Sequence, residues 1–187
     1  MREITLHLLD ITENSVSANA KNIQIKVVED LSKDLLQMVI QDDGKGMDAE
    51  TMAAITDPFV TSRKTRKVGL GIPLFKEAAE ACNGDLNISS ELGKGTCIDV
   101  RFQYSHIDRM PLGDLAGTVL SLIIAHADIH WQFDYSYCSH EGDRNTFEFD
   151  DQPIKETLGD IPLTEPAILS FLRESLYEGI SSCINPN

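Results

Sequence analysis

The chain contains no apolar run close to the ~20 residues that a membrane-spanning helix requires. Its first ten residues, MREITLHLLD, carry acids too early for a signal peptide and offer no small-residue cleavage site. Cys82, Cys97, Cys138 and Cys183 are widely spaced, with no C-x-x-C pair to hold a metal. Cys82 falls in an apolar helical pattern and Cys97 in a strand pattern, so both read as reduced fillers of core and surface. The expected compartment is therefore a reducing cytoplasm. Bases are scarce as well: 16 Lys and Arg stand against 30 Asp and Glu, for a formal net charge of −14. Residues 106–187 hold 14 acids and 4 bases, while residues 1–105 hold 16 acids and 12 bases. So acidic a second half argues against nucleic acid or an anionic membrane as the main partner. The P-loop pattern G-x-x-x-x-G-K-[ST] is missing, and so is G-x-G-x-x-G after a first strand. Internal repeats and low-complexity segments are absent too.

Against this background the segment DPFVTSRKTRKVGLGIPLF, residues 57–75, stands out. Arg63, Lys64, Arg66 and Lys67 place four cations within five residues, just before Gly69-Leu70-Gly71. Such a loop suits a small, highly charged anion.

Hydrophobic periodicity predicts the elements around it. Residues 3–19 fit a helix with Ile4, Leu8, Ile11, Ser15 and Ala18 on one face and His7, Asp10, Asn14 and Ser17 on a polar face beside it. His7 reads as a satisfied structural histidine. NIQIKVV and LLQMVIQ read as strands, followed by a short helix near 48–55. A second helix is predicted over 71–82, stopped by Asn83-Gly84. DLNIS and TCIDVRF then flank the turn LGKG. The prediction is α+β: a two-layer sandwich of helices on a mostly antiparallel sheet. It is assigned to residues 1–105, with an acidic α/β extension over 106–187. That extension should hold an apolar helix near 113–125, the strands HWQFDYSY and NTFEFD, and helices near 153–158 and 164–181. His140, in HEGD, falls in the hairpin turn between those strands, which is no place for a phospho-acceptor histidine.

Three glycine-bearing boxes carry the chemistry. Asp42-Asp43-Gly44-Lys45-Gly46 follows a strand, so Asp42 sits at its end and Gly44 and Gly46 allow close backbone approach. Gly69-Leu70-Gly71 opens a helix whose first N–H groups attract anions. Gly93-Lys94-Gly95-Thr96 forms the later turn. Each alone is common loop text. In order, though, E-N-S in the first helix, D-x-G-x-G, D-P-F, G-L-G and G-K-G-T resemble the GHKL (Bergerat-fold) ATPase superfamily. That group includes histidine kinases, DNA gyrase B, mismatch-repair ATPases and anti-sigma-factor serine kinases. The resemblance covers about residues 1–104 and does not reach 106–187.

The resemblance implies that the anion is the polyphosphate of ATP with Mg²⁺, and that residues 57–68 form a mobile lid. Asp42 would accept a hydrogen bond from the adenine amino group, with Thr96 supporting it through a water. Asn14 would offer an amide oxygen to Mg²⁺, and Arg63 and Lys64 would face the phosphates. Gly44, Gly46, Gly69, Leu70 and Gly71 complete the cradle. Asp10, four residues before Asn14, stands where hydrolysing members carry the carboxylate that addresses the attacking water. It is one methylene shorter than Glu, so a water between is expected. Two functions are consistent with this. One is a kinase-like ATPase that phosphorylates a partner protein; with the nucleotide domain starting at residue 1 of this sequence, its acceptor is expected to lie in another chain. The other is a non-catalytic ATP-dependent switch with 106–187 as its docking element. A clamp like gyrase B fits less well, because such clamps carry a larger transducer domain with a phosphate-sensing lysine, whereas the extension's one lysine is Lys155 and it has no basic loop.

Overall fold

Among the described residues, alternation of apolar and polar residues produces six strands, and all six join one sheet. The computed structural model of the chain describes residues 3–56 and 71–186. Chain order is α1 (Ile4–Ser17), β1 (Asn22–Asp30), β2 (Leu35–Asp42), α2 (Ala49–Thr56), α3 (Gly71–Glu80), β3 (Asp85–Glu91) and β4 (Gly95–Gln103), then α4 (Leu115–Ala125), β5 (His130–Cys138), β6 (Arg144–Asp150), α5 (Gln152–Leu158) and α6 (Pro166–Ile184). The sheet order is β3-β4-β2-β1-β5-β6. Every pairing is antiparallel except β1 with β5. This is the mostly antiparallel α+β fold expected.

Register sorts the two faces. Ile98, Ile40, Ile25 and Phe133 are cross-strand neighbours, and so are Val100, Met38, Val27 and Tyr135. All eight are at most 5% exposed and face the helical layer. The row between them, Asp99, Val39, Lys26 and Asp134, is polar apart from Val39. Lys26 and Gln24 bond Asp134 across β1 and β5, and Gln37 bonds Asp99 across β2 and β4. Side chains of a strand alternate between faces, so one face of the sheet is core and the other meets water. Among the described residues no helix is long and apolar enough to cross a membrane.

The sheet runs without a break across the segment expected to separate 1–105 from 106–187. β5 pairs with β1 over nine residue positions. Two polar locks reinforce that seam. The buried Tyr135 hydroxyl donates to Glu29 at 2.7 Å, and burial pushes its pKa far above the usual phenol range. Arg144 of β6 reaches past β5 to Asp30 of β1 at 2.8 Å. On the helical side, Asp114 caps α4 by accepting from Gly117 N–H at 2.9 Å, and it also accepts from Tyr177 of α6 at 2.6 Å.

The apolar face of α1 is Ile4, Leu8 and Ile11, each fully buried. No side chain caps this helix at Glu3. Its first orphan donors go instead to the segment before α4: Ile4 N–H to Pro111 O and Thr5 N–H to Leu112 O, both 3.0 Å. At its other end, His126 Nε2 lies 3.0 Å from Glu13 Oε1. The extension thus holds α1 at both ends. His7 is buried and stacked on Phe75, ring centroids 4.9 Å apart, and burial pushes its pKa down. Its Nδ1, expected to be satisfied, meets no hydrogen-bond partner among the described residues. Cys82 is buried and Cys97 half-buried. His140 lies in the β5–β6 turn.

Candidate functional site

Asp42 is the polar end of the buried face. Two residues beyond Ile40 it points into the same layer, with Thr96 of β4 and Ile23 of β1 as register neighbours. It is only 8% exposed. Burying a carboxylate is costly unless its oxygens find donors, and here they do. Ser15 Oγ donates to Oδ2 at 2.6 Å and Gly44 N–H donates to Oδ1 at 2.9 Å. Each carboxylate oxygen has room for a second donor, so the group is held in place and still able to accept.

The glycine boxes interlock around it. Gly46 has φ +62°, and a Cβ there would stand 2.0 Å from Glu91 O. Gly95 has φ +106°, and a Cβ there would stand 1.9 Å from Asp42 O. Gly93 N–H donates to Lys45 O at 2.8 Å, which ties the loop after β2 to the β3–β4 turn. Gly44 lies against Ala18, and Lys45 N–H donates to Ala18 O at 2.9 Å, joining the loop to the end of α1. Ser90 completes the junction. Its hydroxyl accepts from Met47 N–H, donates to Gly95 O and lies 2.9 Å from Thr96 Oγ1, so Ser90, Thr96 and Asp42 form a polar row across three strands.

Backbone conformation and space give separable consequences. Gly46→Ala is expected to cost about 1–3 kcal/mol through its left-handed conformation alone, with the Glu91 contact added. This should lower Tm by a few to roughly ten degrees. Gly93→Ala, at φ +80° with nothing within 4 Å of a Cβ, should lose only the conformational part. Thermal melts of the two variants, compared side by side, check the difference.

Asp10 and Asn14 lie one turn apart on α1, and both are exposed. Gly71, at the start of α3, is buried against Asp10, where an added Cβ would approach Asp10 Cβ to 3.3 Å. The site is therefore walled by α1, floored by the loop 42–47 and the turn 91–95, and flanked by the start of α3. The structure gathers Asp10, Asn14, Asp42, Gly44, Gly46, Gly71 and Thr96 in this region. Arg63, Lys64, Gly69 and Leu70 lie outside the described residues. Sequence alone assigns no role to Ser15 or Ser90. Ser15 is a hydroxyl interrupting an otherwise apolar stripe, and that mismatch was the available signal.

Residues 2–106 match the family of histidine kinase-, DNA gyrase B-, and HSP90-like ATPases, and the chain belongs to that family. It is 30% identical over 100 residues to sensor histidine kinase YvrG of Bacillus subtilis (strain 168), which covers 51% of this chain and 17% of that protein. It is 37% identical over 90 residues to sensor protein kinase FleS of Pseudomonas aeruginosa, covering 48% of this chain and 22% of that one. The chain thus spans about a fifth or less of these relatives' length. A crystal structure of the N-terminal domain of a DNA repair protein superposes with TM-score 0.50 at 16% identity, covering 80% of this chain and 53% of that chain. The Aquifex aeolicus MutL ATPase domain complexed with ADP covers 95% of this chain and 70% of its own, with TM-score 0.48 at 12% identity. The protein is an ATPase-fold chain related to histidine kinases.

Proposed function

We propose that the protein binds Mg-ATP at this site and acts as a kinase-like regulator that passes a phosphoryl group to a partner protein. The observation that carries the reading is Asp42: a buried carboxylate held by Ser15 and Gly44 with acceptor capacity left over. Such a group selects a purine with an amine at C6, as in adenine, and disfavours guanine, which presents a carbonyl there. Thr96, next to Asp42 in the sheet, supports that contact through a water. Asn14 offers a neutral amide oxygen, suited to a hard cation that keeps much of its water shell. Asp10 orients or deprotonates the attacking group. The reading is tested by calorimetry of the full chain with ATP, GTP and adenosine, with and without Mg²⁺. Selective, Mg²⁺-dependent ATP binding supports it, and equal affinity for ATP and GTP would overturn the role of Asp42.

Arg63 and Lys64 are assigned to the phosphates. Replacing both by Ala should weaken ATP binding by at least about tenfold while leaving adenosine binding within about twofold, since a charge-assisted hydrogen bond contributes about 1.5–3 kcal/mol. Parallel titrations of the two ligands check it; equal losses for both would place the cations elsewhere.

A second reading, a switch that binds ATP without turnover, is favoured by one feature. The helix carrying Asp10 and Asn14 is held at both ends by the 106–187 segment. A nucleotide-dependent shift of α1 would be felt directly by that acidic segment, which is the proposed docking region for a partner.

A further inference from the structure

Beyond β6 the chain leaves the sheet, and its last two helices are only half used. α6 buries Leu172, Leu176 and Cys183 against α4 and β6, and α5 buries none of its residues. Between them runs an open groove of about 500 Å³, lined by Pro153, Ile154 and Leu158 of α5 and by Ala167, Ile168 and Phe171 of α6. These positions recur one turn apart on each helix, so each helix presents an apolar stripe. Phe171 is 56% exposed on the groove, and Ile161, in the connection between the helices, is 52% exposed. An exposed phenylalanine in a continuous apolar trough is the kind of surface that marks interaction sites.

The surroundings decide what fits there. Asp160, Glu165 and Glu174 are exposed and flank the groove in sequence; Glu174 comes one turn after Phe171 on α6, whereas Glu156, two residues from both Ile154 and Leu158, falls on the far side of α5. The nearest cations in sequence are Lys155 and Arg173, and Lys155 is committed to Asp151 at 2.6 Å. An apolar trough with an acidic rim repels a second copy of this chain, whose net charge is −14, and repels anionic membranes equally. It attracts a segment with an apolar face and basic flanks. Two roughly helix-length walls with stripes at helical spacing are the geometry in which a third helix packs.

We propose that the α5–α6 groove is a docking site for a basic amphipathic helix of a partner protein. This gives the partner-dependent reading above a surface and rests on it. The measurement is made without nucleotide, so failed docking and failed ATP binding are separate results.

The probe is a fluorescent synthetic peptide of about 16 residues with Leu at i, i+3, i+4 and i+7 on one face and Lys or Arg on the other. It is titrated onto the full chain by fluorescence anisotropy, and its site is located by amide NMR shifts. Saturable binding is expected, weakened by salt, with shifts centred on residues 153–171. Phe171→Glu and Ala167→Glu replace exposed groove residues and should each reduce affinity about tenfold or more. A peptide with Ser in place of Leu, and one with Glu in place of its cations, should fail to bind. The proposal is overturned if the Ser peptide binds equally well, if both variants bind like the wild type, or if the shifts fall elsewhere. It is also overturned if sedimentation detects a dimer of this chain that Phe171→Glu abolishes, because the groove would then be an interface between copies.

Discussion

Asp42→Asn is expected to lower ATP affinity by about 10- to 150-fold, the effect of losing a hydrogen bond to a charged acceptor. The local geometry makes this sharper than an ordinary charge removal. Asp42 Oδ1 accepts from Gly44 N–H and Oδ2 from Ser15 Oγ. An asparagine has one acceptor oxygen and one donor amide. The amide cannot face Gly44, where donor would meet donor, so it must turn toward Ser15, whose hydroxyl can rotate and accept. The remaining oxygen then faces Gly44. What is lost is the negative charge and one acceptor, with the fold left in place because both neighbours keep partners. Circular dichroism should be unchanged, and calorimetry should register the loss. A folded Asp42→Asn variant with wild-type ATP affinity would remove Asp42 from the site.

Part of this site is legible in sequence because it is local. Asp42 ends a strand whose alternation, Leu36, Met38 and Ile40, already assigns it to the inner face. The glycines after it have the positions that tight approach demands. The end of α3 is equally local: Asn83 adopts φ +54°, and Gly84 N–H returns to Ala79 O, although the helix itself stops at Glu80, two residues before its expected end. What sequence does not carry is pairing between distant segments. Nothing in HWQFDYSY says that β5 lies parallel beside β1, because the pattern fixes which side chains face inward and leaves the neighbour open. The capping of α1 by Pro111 and Leu112 uses backbone carbonyls and leaves no trace in residue type. Ser15 belongs to both levels. Its place in an apolar stripe is visible, but its purpose appears only when β2 brings a carboxylate to within 2.6 Å.

Asp10→Asn is expected to separate binding from turnover. Asp10 and Asn14 share one face of α1, a turn apart, so one can address a water or acceptor hydroxyl while the other addresses Mg²⁺ on the same nucleotide. The backing for Asp10 is rigid: α1 is anchored by Pro111 O and Leu112 O at its start, and buried Gly71 stands against the Asp10 side chain. A Cβ at position 71 would stand 3.3 Å from Asp10 Cβ, so a larger residue there would push α1 and α3 apart by a few tenths of an ångström. A group that orients or deprotonates the nucleophile contributes about 10²–10⁴-fold to rate. Asparagine keeps the size and removes the charge. ATP affinity should therefore be retained or slightly tightened, since repulsion with the phosphates is eased, while hydrolysis or transfer falls by at least about tenfold. Phosphate release and label transfer are assayed for both proteins, alone and with a partner protein recovered from native cell extract. If the wild type turns over and the variant matches it, Asp10 is not the group that activates the nucleophile. If neither turns over in the presence of that protein, phosphoryl transfer is excluded, and α1 serves as the moving part of a nucleotide switch whose ends are gripped by the acidic segment.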